Sequence, residues 1–297
     1  MTARSRLSAW FGATVLLATV GFALSAACAH ADPATDLNQF RQFFKKKFPS
    51  VRFDDFANGI YALPGMDDYR MQWESLSDFP LYEIGLDQGR REWETPFKNG
   101  KTYAGCFVNG GKNIAQHYPY WHEASRQVRT VEMDLIECVK RNGEERRFTT
   151  ADLNVDAKAR AQLANLTAAF YELSKGQRIE IDLSDAGAVE AYEEGKRFWW
   201  SRRGQLNFSC ANCHMDLAGK NLGGNQPLSA ALGHPVGWPA YRTVWGQLET
   251  VHYRYATCNS QVRAKPAPIG SRIYNNLQLY ETYLSSGLPL AAPSVRN

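Results

Sequence analysis

The strongest chemical signal in the sequence is a short motif with two cysteines and a histidine. Cys210, Cys213 and His214 form the pattern C-x-x-C-H within the segment 209–214. Two thiols at this spacing can add to the two vinyl groups of a porphyrin, and the next residue then places an imidazole under the iron. A redox thiol pair or half of a zinc site also uses C-x-x-C, but the adjacent histidine and the lack of a second C-x-x-C argue against both. The motif therefore predicts one covalently attached c-type haem, with His214 as its proximal ligand.

The first 31 residues predict export, which that chemistry requires. Arg4 and Arg6 form a basic start, and an uncharged apolar run from Leu7 to Ala27 follows. The sequence Ala-His-Ala at 29–31 is an A-x-A site, with cleavage expected before Asp32. Residues 1–31 are thus predicted to be a signal peptide, and the mature protein is predicted to be periplasmic. No later stretch approaches the length of a membrane span.

Size and charge exclude some classes of partner. The formal charge is +4 for the whole chain and about +2 once the leader with Arg4 and Arg6 is removed. So small a net positive charge implies no nucleic-acid partner. The mature chain of about 266 residues is long enough for two ordinary domains.

The cysteine count leaves one thiol to explain. Of the six cysteines, Cys28 belongs to the leader and the haem uses two. An oxidising compartment favours a disulfide between Cys106 and Cys138. Cys258 is then the odd cysteine, and an odd cysteine in an exported protein indicates a reactive thiol or intermolecular pairing.

The sixth iron ligand is the next question. Methionine is common in electron carriers, but the only methionine after His214 is Met215, which lies too close to reach the other face of the ring. The downstream donors are therefore His234, His252 and Cys258. Cys258 follows an arginine, Arg254, by four residues, and in a helix the guanidinium would favour the thiolate and could hold an oxyanion. An inert buried thiol, with His234 or His252 as ligand, remains the alternative.

Apolar periodicity predicts a mainly helical fold. Helices are expected over residues 36–48, 128–141, 156–175, 185–203, 242–255 and 271–285. The region 49–99 is expected to be loop-rich, residues 216–240 are expected to wrap the haem as loops, and a domain boundary is expected near 176–184. A helix leading directly into C-x-x-C-H is the element order of a cytochrome c domain.

With these residues in view, the mature chain resembles the SoxA family, the catalytic c-type cytochrome subunits of the sulfur-oxidation (Sox) system. The residues that carry the resemblance are Gly195, Phe198-Trp199, 202–205, 209–214, 239–242, Arg254, Cys258-Asn259 and Arg263-Ala264. A weaker match in the first half includes Gly105-Cys106, 109–111, Tyr118-Pro119, Val131-Glu132 and Cys138. C-x-x-C-H alone names no function, but followed by R-x-x-x-C it is specific.

The resemblance implies a fold of two cytochrome c-like domains. These would be 32–180 without haem and 181–297 with haem, because some members carry a second C-x-x-C-H in the first domain and this sequence does not. The implied partner is a small haem-bearing subunit, SoxX.

The implied activity is that of an L-cysteine S-thiosulfotransferase, which joins thiosulfate to a carrier cysteine of SoxYZ and passes two electrons out through haem. Cys210 and Cys213 would hold the porphyrin and His214 would be the proximal ligand. Cys258 would be the distal ligand and the catalytic cysteine, present as a persulfide, and Arg254 would bind the substrate.

Two other functions would use the same motif. A non-catalytic periplasmic electron-transfer cytochrome c would have His/His ligation through His234 or His252 and a structural Cys258. A haem-bearing sensor would leave the sixth position open to small ligands, which gives a high-spin haem.

Overall fold

The computed structural model describes residues 32–76, 78–145, 148–223 and 226–296 of the 297-residue chain. The segment Asp32–Asn297 forms one compact unit. The expected signal peptide, residues 1–31, lies outside the described residues. Within the described ranges, no helix combines the length and the apolar character needed to cross a membrane.

Helices make up most of the regular structure, as the sequence predicts. The described residues contain eight α-helices: α1 Pro33–Lys47, α2 Asp67–Ser75, α3 Glu83–Glu94, α4 Val131–Arg141, α5 Ala157–Glu172, α6 Ala186–Trp200, α7 Val251–Gln261 and α8 Arg272–Leu284. Several begin at a side chain that accepts a hydrogen bond from a free backbone amide, among them Asp32 of α1, Thr130 of α4 and Asp185 of α6.

In the part of the chain that the structure describes, short strands form three small sheets between these helices: β1 Tyr120–His122 with β2 Gln127–Arg129, β3 Asn221–Leu222 with β4 Gln226–Pro227, and β5 Ala240–Arg242 between β6 Gln247–Glu249 and β7 Ser294–Val295. β5 pairs antiparallel with β6 and parallel with β7, with Ala240 opposite Glu249 and Ser294. The end of the described chain is thereby tied to the hairpin that precedes α7.

The same series of elements occurs twice along the chain. α3 packs against α5, and α6 packs against α8 in the same way. Each pair meets at a glycine: a Cβ atom on Gly89 would lie 1.9 Å from the backbone oxygen of Asn165, and one on Gly195 would lie 2.1 Å from that of Asn276. The helices of both pairs therefore touch backbone to backbone, which only glycine permits.

A second repeated feature leads into α4 and α7. A cis prolyl bond, Tyr118-Pro119 or Trp238-Pro239, is followed by a β-hairpin and then by a threonine at the start of the helix. Cys138 follows the threonine of α4 by eight residues, and Cys258 follows that of α7 by eight. The two cysteines therefore occupy equivalent positions in the repeat.

One continuous apolar core extends through both copies of the repeat. Fully enclosed side chains from the two copies include Tyr103, Leu135, Phe170, Tyr192, Trp199 and Tyr274. Where the copies meet, the buried side chain of Asn275 donates a hydrogen bond to the backbone oxygen of Val128 at 3.2 Å. The predicted division into domains 32–180 and 181–297 stays a prediction.

The glycine contact between α6 and α8 gives a stability test. Gly195→Ala should lower the free energy of unfolding by about 2 kcal/mol, because the added methyl group must push the helix backbones apart and this outweighs the better helix propensity of alanine. Thermal unfolding of the haem-loaded protein would measure it. Gly105→Ala is the matched control, since no atom lies within 4 Å of a Cβ placed there. Equal melting temperatures for both variants would contradict the close contact.

Two predictions about elements are wrong. Residues 49–99 are not loop-rich: they contain a 3-10 segment, Phe53–Ala62, and the helices α2 and α3. α2 buries none of its side chains, so it has no apolar stripe to reveal it. The helix expected over 242–255 is a hairpin turn and β6 followed by α7, because Gly246 adopts a positive φ of 67° and ends the local pattern.

Candidate active site

The C-x-x-C-H motif lies shortly after α6, in a helical stretch that ends in a π-helical turn, Asn212–Asp216. Two hydrogen bonds fix the start of this stretch. The backbone nitrogen of Ser209 donates to Oδ1 of Asn212 at 3.0 Å, and the backbone nitrogen of Asn212 donates to Oγ of Ser209 at 3.3 Å. The motif is therefore held by its own polar neighbours.

A cavity of about 330 Å³ collects the predicted site residues. Cys210, Cys213 and His214 line it together with Arg254 and Cys258 of α7. Much of the remaining lining is apolar and includes Trp199, Leu206, Phe208, Leu222, Leu228 and Leu277. An apolar cavity of this size with a few convergent polar groups is typical of a cofactor site. A larger hollow, of about 560 Å³ beside Gln88 and Asn165, contains no cysteine or histidine.

His214 has the protonation that iron ligation requires. Its Nδ1 lies 3.1 Å from the carbonyl oxygen of Ser229. A carbonyl oxygen can only accept, so Nδ1 carries the proton and Nε2 keeps its lone pair. Burial, assisted by the charges of His234 and Arg254, lowers the pKa of His214 well below its ordinary value, so the ring is neutral. A histidine held this way through its second nitrogen is the common arrangement at metal sites.

Burial also determines the chemistry of the two motif cysteines. It raises the pKa of Cys210 to about 12 and raises that of Cys213 as well, against the opposing charges of Arg203 and Arg254 respectively. The thiolate form that a zinc site or redox pair needs is therefore disfavoured. Within the described ranges, no three His, Cys, Asp or Glu side chains are grouped to hold a bare metal ion. A pair of uncharged thioether links to haem fits these surroundings better.

Arg254 and Cys258 lie one turn apart in α7, so the expectation that they share a helical face is confirmed. Arg254 is only 8% exposed, and its Nη1 atom has no hydrogen-bond partner among the described residues. Cys258 is partly buried and, apart from the motif pair, is the one free cysteine of the described chain. A buried, uncompensated guanidinium thus accompanies a free thiol at the cavity.

The alternative histidine ligands are less well placed. The rings of His234 and His214 have centroids 4.7 Å apart, too close for an iron atom with metal–nitrogen distances of about 2.0 Å to lie between them. His252 does not line the cavity; its Nδ1 accepts a hydrogen bond from the backbone nitrogen of Gly270 at 3.2 Å. His234 and Cys258 both line the cavity, and the short distance between the two histidine rings makes Cys258 the better candidate.

The sequence did not predict the buried carboxylate beside the cavity. Glu281 of α8 is 3% exposed, accepts a hydrogen bond from the Tyr255 hydroxyl, and lies 3.0 Å from Nδ1 of His234. A signal was present, because Glu281 falls four residues after Leu277 and three before Leu284, on the apolar face of the last helix. A charged residue at such a position needs buried partners.

The predicted disulfide between Cys106 and Cys138 is present, with the two Cα atoms 5.8 Å apart. Cys106 follows α3 as the haem motif follows α6, and Cys138 has the position in α4 that Cys258 has in α7. The disulfide therefore joins, in the first copy of the repeat, the two segments that face each other across the cavity in the second.

Comparison with known proteins gives one family. The model of the SoxA/TsdA cytochrome c domain matches residues 88–179. The chain is 38% identical to the L-cysteine S-thiosulfotransferase subunit SoxA of Chlorobaculum tepidum, over 88% of this chain and 87% of that protein. It is 40% identical to the subunit of the same name from Allochromatium vinosum, over 96% of this chain and 97% of that protein.

A solved structure agrees with these relatives. The crystal structure of SoxXA from P. pantotrophus matches with a TM-score of 0.66 and 26% identity, covering 76% of this chain and 83% of the matched chain. This match agrees with the sequence identity to two relatives over nearly their whole length. It also agrees with the site, where the C-x-x-C-H motif and Cys258 of α7 line one cavity. The chain belongs to the SoxA family.

Proposed function

We propose that this chain is the catalytic subunit of a SoxAX-type L-cysteine S-thiosulfotransferase, which joins thiosulfate to a cysteine of a carrier protein. The observation that carries the proposal is the presence of Cys258 and Arg254 at the same cavity as the C-x-x-C-H motif. A simple electron carrier needs neither a free thiol nor an uncompensated buried cation beside its haem. The relatives are named for the same activity.

One covalent haem c would occupy the cavity, held by four residues. Cys210 and Cys213 would form the thioether links, His214 would bind the iron through Nε2, and Cys258 would be the distal ligand. The free lone pair of Nε2 and the apolar lining support this assignment. When bound, the haem supplies an electron acceptor next to the sulfur of Cys258.

The fold is proposed to consist of two cytochrome c-like domains, 32–180 without haem and 181–297 with haem. The repeat of helix pairs and hairpins supports this division. The family match over 88–179 covers a segment with no C-x-x-C-H motif, so a cytochrome c-type fold there would persist without a bound haem. The Cys106–Cys138 bridge would take over the cross-linking role.

The proposed reaction is an oxidation. A carrier thiol and thiosulfate, R–SH and S₂O₃²⁻, give R–S–S–SO₃⁻, one proton and two electrons. Both sulfur atoms are electron-rich, so they join only if the electrons have an acceptor. Cys258, as a persulfide, would carry the sulfur atom that bonds to the substrate, and the forked donors of Arg254 would hold the sulfonate oxygens.

The partners and the location follow from the same family assignment. A small SoxX-type cytochrome would complete the enzyme, as the name of the matched SoxXA structure suggests. A SoxYZ-type protein would supply the carrier cysteine. The signal peptide expected over residues 1–31 supports a periplasmic location for these events.

The state of Cys258 tests the proposal directly. Peptide mass spectrometry of freshly purified, unreduced protein should find one additional sulfur atom on Cys258 that a mild reductant removes. The same digest gives an internal control, because the peptides of Cys106 and Cys138 should remain disulfide-linked without additional sulfur. A mixed disulfide between Cys258 and either of these cysteines would contradict the proposal and favour an electron carrier with His/His ligation.

A further inference from the structure

The carboxylate of Glu281 has no role in the site as described so far. It is the one acidic side chain among the described residues that line the cavity, which also include two basic ones, Arg203 and Arg254. Within the described ranges, the only basic group at ion-pair distance from Glu281 is the ring of His234, at 3.0 Å. A buried charge is costly to keep, so a carboxylate without an arginine or lysine partner needs an explanation.

Two side chains that also line the cavity hold Glu281 in place. The Tyr255 hydroxyl donates a hydrogen bond to one carboxylate oxygen, and Nδ1 of His234 lies 3.0 Å from the other. All three side chains are buried. Hydrogen bonds to both oxygens stabilise a carboxylate in its charged form. These three residues, the Glu281 cluster, therefore fix a negative charge at the wall of the cavity.

The Glu281 cluster lies next to the predicted proximal ligand. The rings of His234 and His214 have centroids 4.7 Å apart. The segment that carries His234 is tied to the end of α8, because the backbone nitrogen of Gly233 donates to Oγ of Ser285 at 3.2 Å. One histidine ring thus separates the carboxylate of Glu281 from the imidazole that is predicted to bind the iron.

The first copy of the repeat shows that the fold does not need this carboxylate. Glu281 lies five residues after Asn276, and Phe170 lies five residues after Asn165. Asn276 and Asn165 are equivalent, because each is the residue whose backbone touches the glycine of the paired helix. Phe170 therefore has in α5 the position that Glu281 has in α8, and it is fully enclosed in the apolar core.

The two partners of Glu281 are replaced in the same way. Tyr255 lies five residues after the threonine that precedes α7, and Leu135 lies five residues after the threonine that precedes α4. His234 lies five residues before the cis proline of its copy, and so does Ile114. Leu135 belongs to the apolar core and Ile114 packs against it. The polar cluster is thus confined to the copy with the C-x-x-C-H motif, and it serves the site rather than the shared fold.

We propose that Glu281, held by Tyr255 and His234, stabilises the ferric over the ferrous state of the haem and lowers its reduction potential. This inference rests on the proposed function, because it needs a haem in the cavity. Ferric iron carries one more positive charge than ferrous iron, so a fixed negative charge in a poorly solvated site favours the oxidised form. The oxidised form is the one that can accept electrons in the proposed reaction. Arg203 and Arg254 act in the opposite direction, and Glu281 offsets part of their effect.

Potentiometric titration of the haem-loaded protein, without thiosulfate or a partner protein, tests the inference. Glu281→Gln removes the charge and keeps the shape of the side chain. It should shift the equilibrium about 10-fold toward the reduced haem, which raises the midpoint potential by ~59 mV for one electron. A unit charge that acts over roughly 12 Å at an effective dielectric constant of about 20 gives this factor. Glu281→Asp keeps the charge and should raise the potential much less.

Glu190→Gln is the matched control for net charge. It removes an equal charge from an exposed position of α6, where solvent and salt screen the charge, so its midpoint potential should equal that of the wild type. The absorption spectrum of each variant is recorded as well, because a change of iron ligand would also move the potential.

The outcomes separate the effect of charge from that of structure. An unchanged or lower potential in Glu281→Gln, an equal rise in Glu281→Asp, or a rise with an altered spectrum would each overturn the inference. If the glutamine variant binds no haem, Glu281→Leu decides by the same measurement, since the first copy accepts an apolar residue at this position. Loss of haem in both variants would assign Glu281 to folding and overturn the inference. Thiosulfate turnover by the wild type is measured separately, and its absence would refute the proposed function without changing the potentials.

Discussion

Cys258→Ser is expected to lower kcat for thiosulfate-dependent turnover by about 10³-fold or more, because the residue that carries the reacting sulfur is lost. The absorption spectrum of the haem should change in the same variant, since a hydroxyl is a much weaker iron ligand than a thiolate or persulfide. Turnover would be followed as electron release in the presence of thiosulfate and a carrier thiol. Haem content should stay at the wild-type level, because the thioether links do not involve Cys258.

Ser260→Ala gives the matched control for that variant. Ser260 lies in α7 two residues after Cys258, and its side chain is exposed. We expect its turnover and its spectrum to equal those of the wild type. An unaltered spectrum in Cys258→Ser would refute axial ligation by this cysteine, and unaltered turnover would refute its catalytic role. The two readouts are independent, so one assignment can fail while the other survives.

The haem motif was predictable because its chemistry is local in sequence. The prediction of attachment through Cys210 and Cys213 depends on spacing within five residues, and the adjacent His214 with the lack of a second C-x-x-C argued against the zinc and redox interpretations. The Cys106–Cys138 bridge followed from counting cysteines in an oxidising compartment and is confirmed. Both predictions needed no knowledge of tertiary structure.

The surroundings of Cys258 depend on contacts between distant segments. Sequence alone could place Arg254 one turn before Cys258, but it left His234 and His252 as possible ligands. The distance between the rings of His234 and His214 and the placement of His252 outside the cavity are tertiary facts. Periodicity also assigned the hairpin before α7 to a helix. The apolar pattern alone does not show that Gly246 adopts a positive φ and turns the chain there.

Comparison of the two copies of the repeat explains what is specific to the site. The copies share helix pairs, cis prolyl bonds and hairpins, so these features serve the fold. They differ between the segment after the first helix and the helix α4 or α7. In one copy a disulfide joins these two parts, and in the other copy they line a cavity with the haem motif and Cys258. They differ again four residues after the threonine: Asp134 of α4 accepts from Nε of Arg129 at 2.8 Å, whereas Nη1 of Arg254 in α7 has no hydrogen-bond partner among the described residues. The differences, rather than the shared fold, identify the functional half.

Arg254→Gln is expected to raise KM for thiosulfate about 10²-fold with a smaller effect on kcat. Removing one partner from a buried charge interaction typically costs about 2–5 kcal/mol, and about 2.7 kcal/mol corresponds to this factor. The haem spectrum should stay unchanged, because Arg254 is not a ligand. Steady-state kinetics over a range of thiosulfate concentrations, together with the absorption spectrum, provide the measurement.

Arg254→Lys separates charge from geometry in that prediction. Lysine keeps the positive charge but offers a single ammonium group instead of a planar fork, so KM should rise by about 10-fold, between the wild type and the glutamine variant. Arg272→Gln, at a side chain 59% exposed on α8, controls for net charge. A KM unchanged in Arg254→Gln would remove this residue from the substrate site.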